Sequence, residues 1–184
     1  MSRTARIAAV AAAVLFVASA SIDIPRDQPL VFTDPIDYIL EAVFAGALWA
    51  SAVALACMAV SNSRIPARLT IGTAALGHIA FATAATATLA NGRESLDILA
   101  SVGLVLIMAG YVGFFIADLI RMAEPRFSGI ALFIATVGMI SLGEGWGLIA
   151  WGAGWFAVAA MMRDRQPSLA PVGSAPAPRD PHRV

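Results

Sequence analysis

Three stretches of this chain, Ala42 to Ser63, Leu69 to Gly92 and Ile98 to Ala117, contain no Asp, Glu, Lys or Arg. Each is about as long as the roughly 20 apolar residues a helix needs to cross a bilayer. A fourth region, Phe127 to Met162, is broken only by Glu144. As one helix at 1.5 Å per residue it would run about 54 Å, well beyond a hydrocarbon core of about 30 Å. The run Gly143-Glu144-Gly145-Trp146-Gly147 supplies the expected turn, with flexible glycines, one charge and an interfacial Trp. A shorter run, Ile7 to Ile22, precedes them all. The expected fold is all-α, a polytopic transmembrane helical bundle over 1–162. Its six spans fall at about 7–22, 37–60, 69–90, 97–120, 127–142 and 146–162. The Pro-, Ser- and Ala-rich segment 163–184 is expected to be a disordered cytoplasmic tail.

The arginines set the expected orientation. There is no lysine, and the apolar stretches divide the twelve arginines into alternating groups. Arg3, Arg6, Arg64, Arg68, Arg121, Arg126 and four tail arginines fall on one side, against Arg26 and Arg93 on the other. Basic residues accumulate in cytoplasmic loops, so both termini are expected inside the plasma membrane. The acids are reversed: eight of twelve, Asp23, Asp27, Asp34, Asp37, Glu41, Glu94, Asp97 and Glu144, fall on the outer side. A composition 59% hydrophobic and 13% charged excludes an ordinary soluble domain. No basic cluster stands clear of the membrane, so nucleic acid is not an expected partner. The first segment also reads as a secretory signal, with Arg3 and Arg6 before an apolar run and Ala18-Ser19-Ala20 as a cleavage site. Cleavage there would leave five spans without changing the rest of the topology.

Several residues stand out chemically. Small residues recur every fourth position, notably Gly46 and Ala50 in the second span and Gly113 and Ala117 in the fourth. Such ridges let helix backbones approach closely, within one bundle or against a membrane partner or second copy. Asp34, Asp37 and Glu41 share one helical face. Asp34-Pro35 reads as an N-cap followed by Pro at N1, with Asp37 at N3. Glu41 lies a turn deeper, where capping does not account for it. With Glu144, Glu94 or Asp97 it offers oxygens for an outer cation. His78 lies nine residues into the third span, where an ionisable group is either satisfied by bundle partners or functional. A second intramembrane His is lacking, so haem is not expected; no metal or other cofactor is assigned either. Trp151 and Trp155 share a face one turn apart, either as packing rings or as the wall of an apolar ligand cavity. Asp118 is expected to pair with Arg121 at the inner boundary. Cys57, the sole cysteine, offers neither a disulfide nor a thiol–metal motif.

No Ser-His-Asp set, HExxH or P-loop is present, which argues against an enzyme. Pro25, Pro29, Pro35, Pro66 and Pro125 sit at expected helix ends or loops, so no proline breaks a span. The outer Asp34-Pro35-Ile36-Asp37 start, the inner Glu124-Pro125-Arg126-Phe127-Ser128-Gly129 turn and the Gly/Trp-rich last helix resemble small actinobacterial-type polytopic membrane proteins. That resemblance implies a short-looped bundle and attaches no activity or site. The leading expectation is a non-catalytic integral membrane protein acting through helix packing with membrane partners. The alternative is a transporter or binder of a small or lipid-like molecule, using His78, Trp151, Trp155 and Glu41.

Overall fold

The computed structural model describes residues 3–26, 32, 34–92 and 96–162. Among them are six helices and no strand: α1 (Arg3–Asp23), α2 (Pro35–Ser61), α3 (Ile65–Asn91), α4 (Asp97–Leu119), α5 (Ser128–Leu142) and α6 (Glu144–Met161). The tail from residue 163 lies outside the described residues. Each helix packs against its neighbours in the chain, and α1 packs against α6, so the six close into a ring. Short connections alternate their directions. The turns that bear Arg64, Arg68, Arg121 and Arg126 therefore gather at one end of the ring, and Asp23, Asp34, Asp37, Glu41 and Asp97, together with Arg26, at the other. These are called the arginine end and the acid end below.

The helices are apolar all round. Core positions such as Phe16, Leu48, Ile71, Ile107 and Leu132 are fully buried, while Val14, Val53, Leu76, Val105 and Ile134 face outward. A helix with no polar face belongs in an apolar medium. By length and composition α1 to α4 are capable of crossing a membrane, and α5 and α6 are shorter apolar helices.

Local chemistry sets the helix ends. Asp34 caps α2, its Oδ1 accepting from the Ile36 amide at 2.9 Å, with Pro35 in the first turn. Asp37, almost wholly buried, pairs with Arg26 and accepts from the Phe32 amide, which ties the α1–α2 connection to α2. The break between α5 and α6 falls at Gly143, whose φ of 78° is open to glycine and strained for other residues. Phe127, at the N-cap of α5, makes no side-chain cap. Asp118 of α4 supplies one instead, its Oδ2 accepting from the amides of Gly129 and Ile130. The carboxylate expected to pair with Arg121 is thus turned toward a helix N-terminus, where orphan amides and the helix dipole both favour it.

The tightest seam is between α3 and α4. A Cβ added to Gly77 would sit 2.6 Å from the Ile107 backbone nitrogen, and one added to Gly103 2.8 Å from that of Phe81. Backbones this close require glycine on both helices.

Candidate ligand chamber

The ring is filled differently at its two ends. In the middle and toward the arginine end, aromatic side chains form a continuous plug. The Phe16 ring centroid lies 4.9 Å from that of Trp151, and His78 lies 5.8 Å from Trp151, 6.3 Å from Trp155 and 5.7 Å from Tyr111. His78 is 0% exposed and both ring nitrogens have partners. Its Nδ1 lies 3.0 Å from the Ala74 carbonyl and its Nε2 3.3 Å from the Tyr111 hydroxyl. That pattern suits a neutral ring with the proton on Nδ1, accepting from Tyr111 at Nε2. The partners are thus a backbone carbonyl and a tyrosine of the bundle. Trp151 donates to Thr136 Oγ1 at 3.1 Å. Trp155 Nε1 is buried without a hydrogen-bond partner.

At the acid end the ring forms an open chamber of about 400 Å³. Phe44, Phe81, Leu104, Met139, Leu148 and Trp151 form its apolar wall, and Ser19, Asp23 and Glu41 its polar one. A second space of about 350 Å³ adjoins it across Phe44 and Phe81, whose rings meet edge to face at 5.7 Å. Glu41 borders both spaces, and Asp97 and Thr88 border the second. Among the described lining residues none is basic. The volume falls within the roughly 300–1,000 Å³ of small-molecule sites, and an apolar wall with few convergent polar groups is their usual chemistry.

Two details give the chamber direction. Ser19 is 1% exposed, and its hydroxyl has no hydrogen-bond partner. A buried hydroxyl normally finds one, so Ser19 stands out on this wall. Opposite, between α4 and α5, the wall is thin. Leu104 lines the chamber and is 38% exposed; Ser101, one turn earlier, is also exposed and lines the second space. The identified ties between α4 and α5 lie toward the arginine end: Asp118 to Gly129 and Ile130, and Phe115 stacked on Phe133 at 4.7 Å.

The residues singled out from sequence are distributed as follows. Glu41 and Trp151 line the chamber, whereas His78 and Trp155 belong to the plug beneath it. Asp97 shares the second space with Glu41, while Glu94 and the side chain of Glu144 lie outside the described residues. Among the described residues no three His, Cys, Asp or Glu side chains are grouped to hold a metal. Gly46 faces Leu15 of α1, Gly113 faces Thr70 of α3, Ala117 is buried and Ala50 is partly buried against the core. Trp49 instead faces outward at 41% exposure, its indole donating to Thr86 Oγ1 at 3.2 Å. Sequence reasoning missed Ser19, Asp23, Phe44, Phe81 and Tyr111. Ser19 had a signal, as one of two serines in an alanine-rich run, but it read as part of a cleavage site.

What these features define is a class by architecture: an all-helical apolar ring with four helices of membrane-spanning length and a chamber at one end. No protein-family model matches the chain, and neither a curated protein nor a solved structure is significantly similar to it.

Proposed function

We propose that this chain is a non-catalytic, six-span protein of the plasma membrane that binds a small lipid-like molecule in the acid-end chamber. The observation that carries the reading is the chamber itself, an aromatic pocket of about 400 Å³ above a sealed plug, with a buried, unpartnered hydroxyl on its wall. Binding is favoured over passage because the arginine end is packed with Phe114, Tyr111, Trp155 and Leu132, all fully buried.

The orientation rests on the arginines, ten of which fall at or beyond one end. The chamber then opens on the outer side, with both termini cytoplasmic. At 15 residues α5 is about 22 Å long and would span with local thinning of the bilayer. An uncleaved α1 is supported by its role in the core: Ala5, Ala9, Ala12, Ala13 and Phe16 are all fully buried, and α1 closes the ring. Docking of a membrane partner through Gly46 or Gly113 is less well supported, because both face neighbours within the chain.

The test is native mass spectrometry of the protein extracted gently from its own membrane. A retained small molecule, lost on heating in detergent, supports the reading. A chain that carries no small molecule but holds a second polypeptide would favour docking instead. The same spectrum shows whether the protein begins near Met1 or at Ser21.

A further inference from the structure

Resting on that binding reading, we infer that the chamber takes a hydrocarbon chain of an outer-leaflet lipid, which enters sideways through the seam between α4 and α5. The depth of the lining sets the kind of occupant. Asp23 ends α1 and Glu41 lies in the second turn of α2, so both stand near the acid end. Deeper in, the wall is apolar. Leu104 lies seven residues beyond Asp97 and Trp151 seven beyond Glu144, each about 10 Å along its helix. Phe44, Phe81 and Leu148 continue that wall. The floor is closed where Trp151 meets Phe16 and His78, at ring-centroid distances of 4.9 and 5.8 Å. An apolar recess holds water poorly, and left empty it forfeits dispersion contacts. A methylene chain supplies those contacts and asks for no hydrogen bond.

The weakest seam sets the route. Among neighbours in the ring, α4 and α5 are the least closely joined. Their identified ties, Asp118 to the α5 amides and the Phe115–Phe133 stack, lie toward the arginine end. In the acid half Leu104 borders the chamber yet is 38% exposed, and the half-buried Met139 of α5 borders the same space. Beside Leu104, Val105 faces outward, so apolar surface continues from the outside of α4 to the chamber wall. The 23 residues of α4 run about 34 Å, so a point about 10 Å from its end lies inside a hydrocarbon core of about 30 Å. A chain already in the membrane enters there without meeting water. Lipid is as apolar as the wall, so the preference rests on packing against the rings rather than on the hydrophobic effect.

The test uses the full chain in nanodiscs of phosphatidylcholine, a fraction of which carries a diazirine at the end of one acyl chain. After illumination the adducts are mapped by mass spectrometry of peptides. Phe44, Phe81 and Trp151 should be labelled about tenfold or more above Leu55, which is fully buried and does not line the chamber. Leu104→Trp fills the opening and should remove most of that labelling. Labelling of the outward-facing Val105 should persist, which reports that the variant is folded and inserted. Met139→Trp narrows the same opening from α5 and replaces Leu104→Trp if the latter folds poorly. Chamber labelling that survives the narrowed opening overturns the α4–α5 route. Chamber labelling no higher than Leu55 overturns the lipid chain. A small molecule still retained on gentle extraction would then leave the binding reading standing, and with none retained both fall.

Discussion

The two halves of the ring use the same ingredients to opposite ends. Each contains hydroxyls, aromatic rings and carboxylates. In the arginine half most identified polar side chains are matched within the chain, His78 to Ala74 and Tyr111, Trp151 to Thr136 and Asp118 Oδ2 to two α5 amides, while the Trp155 indole nitrogen and Asp118 Oδ1 have no partner. In the acid half Ser19 is unmatched, and the rings of Phe44 and Phe81 border empty volume. Inside a low-dielectric bundle an unmatched polar atom costs stability, and a cavity forfeits dispersion contacts. Both halves hold unmatched polar atoms, and the acid half alone adds a chamber, a cost that the proposed ligand would offset.

The sharpest way to break that contrast is to overfill the sealed seam. Gly77→Ala places a methyl 2.6 Å from a backbone nitrogen of α4, which no rotamer change relieves. The expected loss is about 1–3 kcal/mol or more, with the melting temperature followed by circular dichroism. The matched control is Gly46→Ala, whose new methyl meets only the Leu15 side chain at an ordinary 3.5 Å. There the gain in helix propensity should leave stability equal or raised by up to about 1 kcal/mol. Equal melting of the two variants would mean that α3 and α4 are not in backbone contact.

Next in size are the buried partners. Tyr111→Phe keeps the ring and removes the hydroxyl that faces His78 Nε2 at 3.3 Å. Thr136→Val does the same to the acceptor of the Trp151 indole, 3.1 Å away. Leaving a buried polar atom unsatisfied costs about 1–3 kcal/mol, so each variant should melt earlier. Thr136→Val should also shift the emission of Trp151, read against a Trp151→Phe background. An unshifted melt for both would show that water reaches the plug and that the two halves differ less than the packing indicates.

Asp118 acts across elements, and its effect is expected to be smaller. Asp118→Ala removes the side chain that caps α5 from α4, a role worth about 1 kcal/mol, range roughly 0.5–2, in comparable caps. The loss should appear first as faster amide exchange at Gly129 and Ile130, with α3 and α4 unaffected. Uniform acceleration across the chain would instead place Asp118 in the global core.

The helices were legible because their signals are long. Charge-free runs, Pro35 and Pro66 near N-termini, and the glycines around Glu144 each act within a few residues, and α1 to α6 begin and end close to where those signals lie. The site was only half legible. Glu41 and Trp151 drew attention as a misplaced acid and a bulky ring, and both line the chamber. Phe44 and Phe81 did not, because nothing in their own neighbourhood marks them, and Ser19 drew attention only as part of a cleavage site. They become a site only when α1, α2 and α3 are brought together by ring closure, and helix apolar on every face carries no periodicity to say which side turns inward. Asp118 shows the same limit. Its nearest basic neighbour in sequence is Arg121, but its hydrogen-bond partners lie across a turn.

The smallest effect is also the most discriminating between the halves. Ser19→Ala and Thr136→Val both remove a buried hydroxyl, yet their consequences should differ in sign. Thr136 Oγ1 accepts from Trp151, so its loss strands a donor. Ser19 Oγ has no partner to strand. Replacing it with Ala removes an unsatisfied atom from an otherwise apolar helix segment and adds helix propensity. The ligand-free protein should therefore be unchanged or more stable by about 0.5–1 kcal/mol, while any ligand-induced rise in melting temperature shrinks. The comparison needs both melts, without and with the small molecule retained on gentle extraction. If Ser19→Ala destabilises the ligand-free chain as much as Thr136→Val does, the hydroxyl has a structural partner, and the contrast between these two positions is lost.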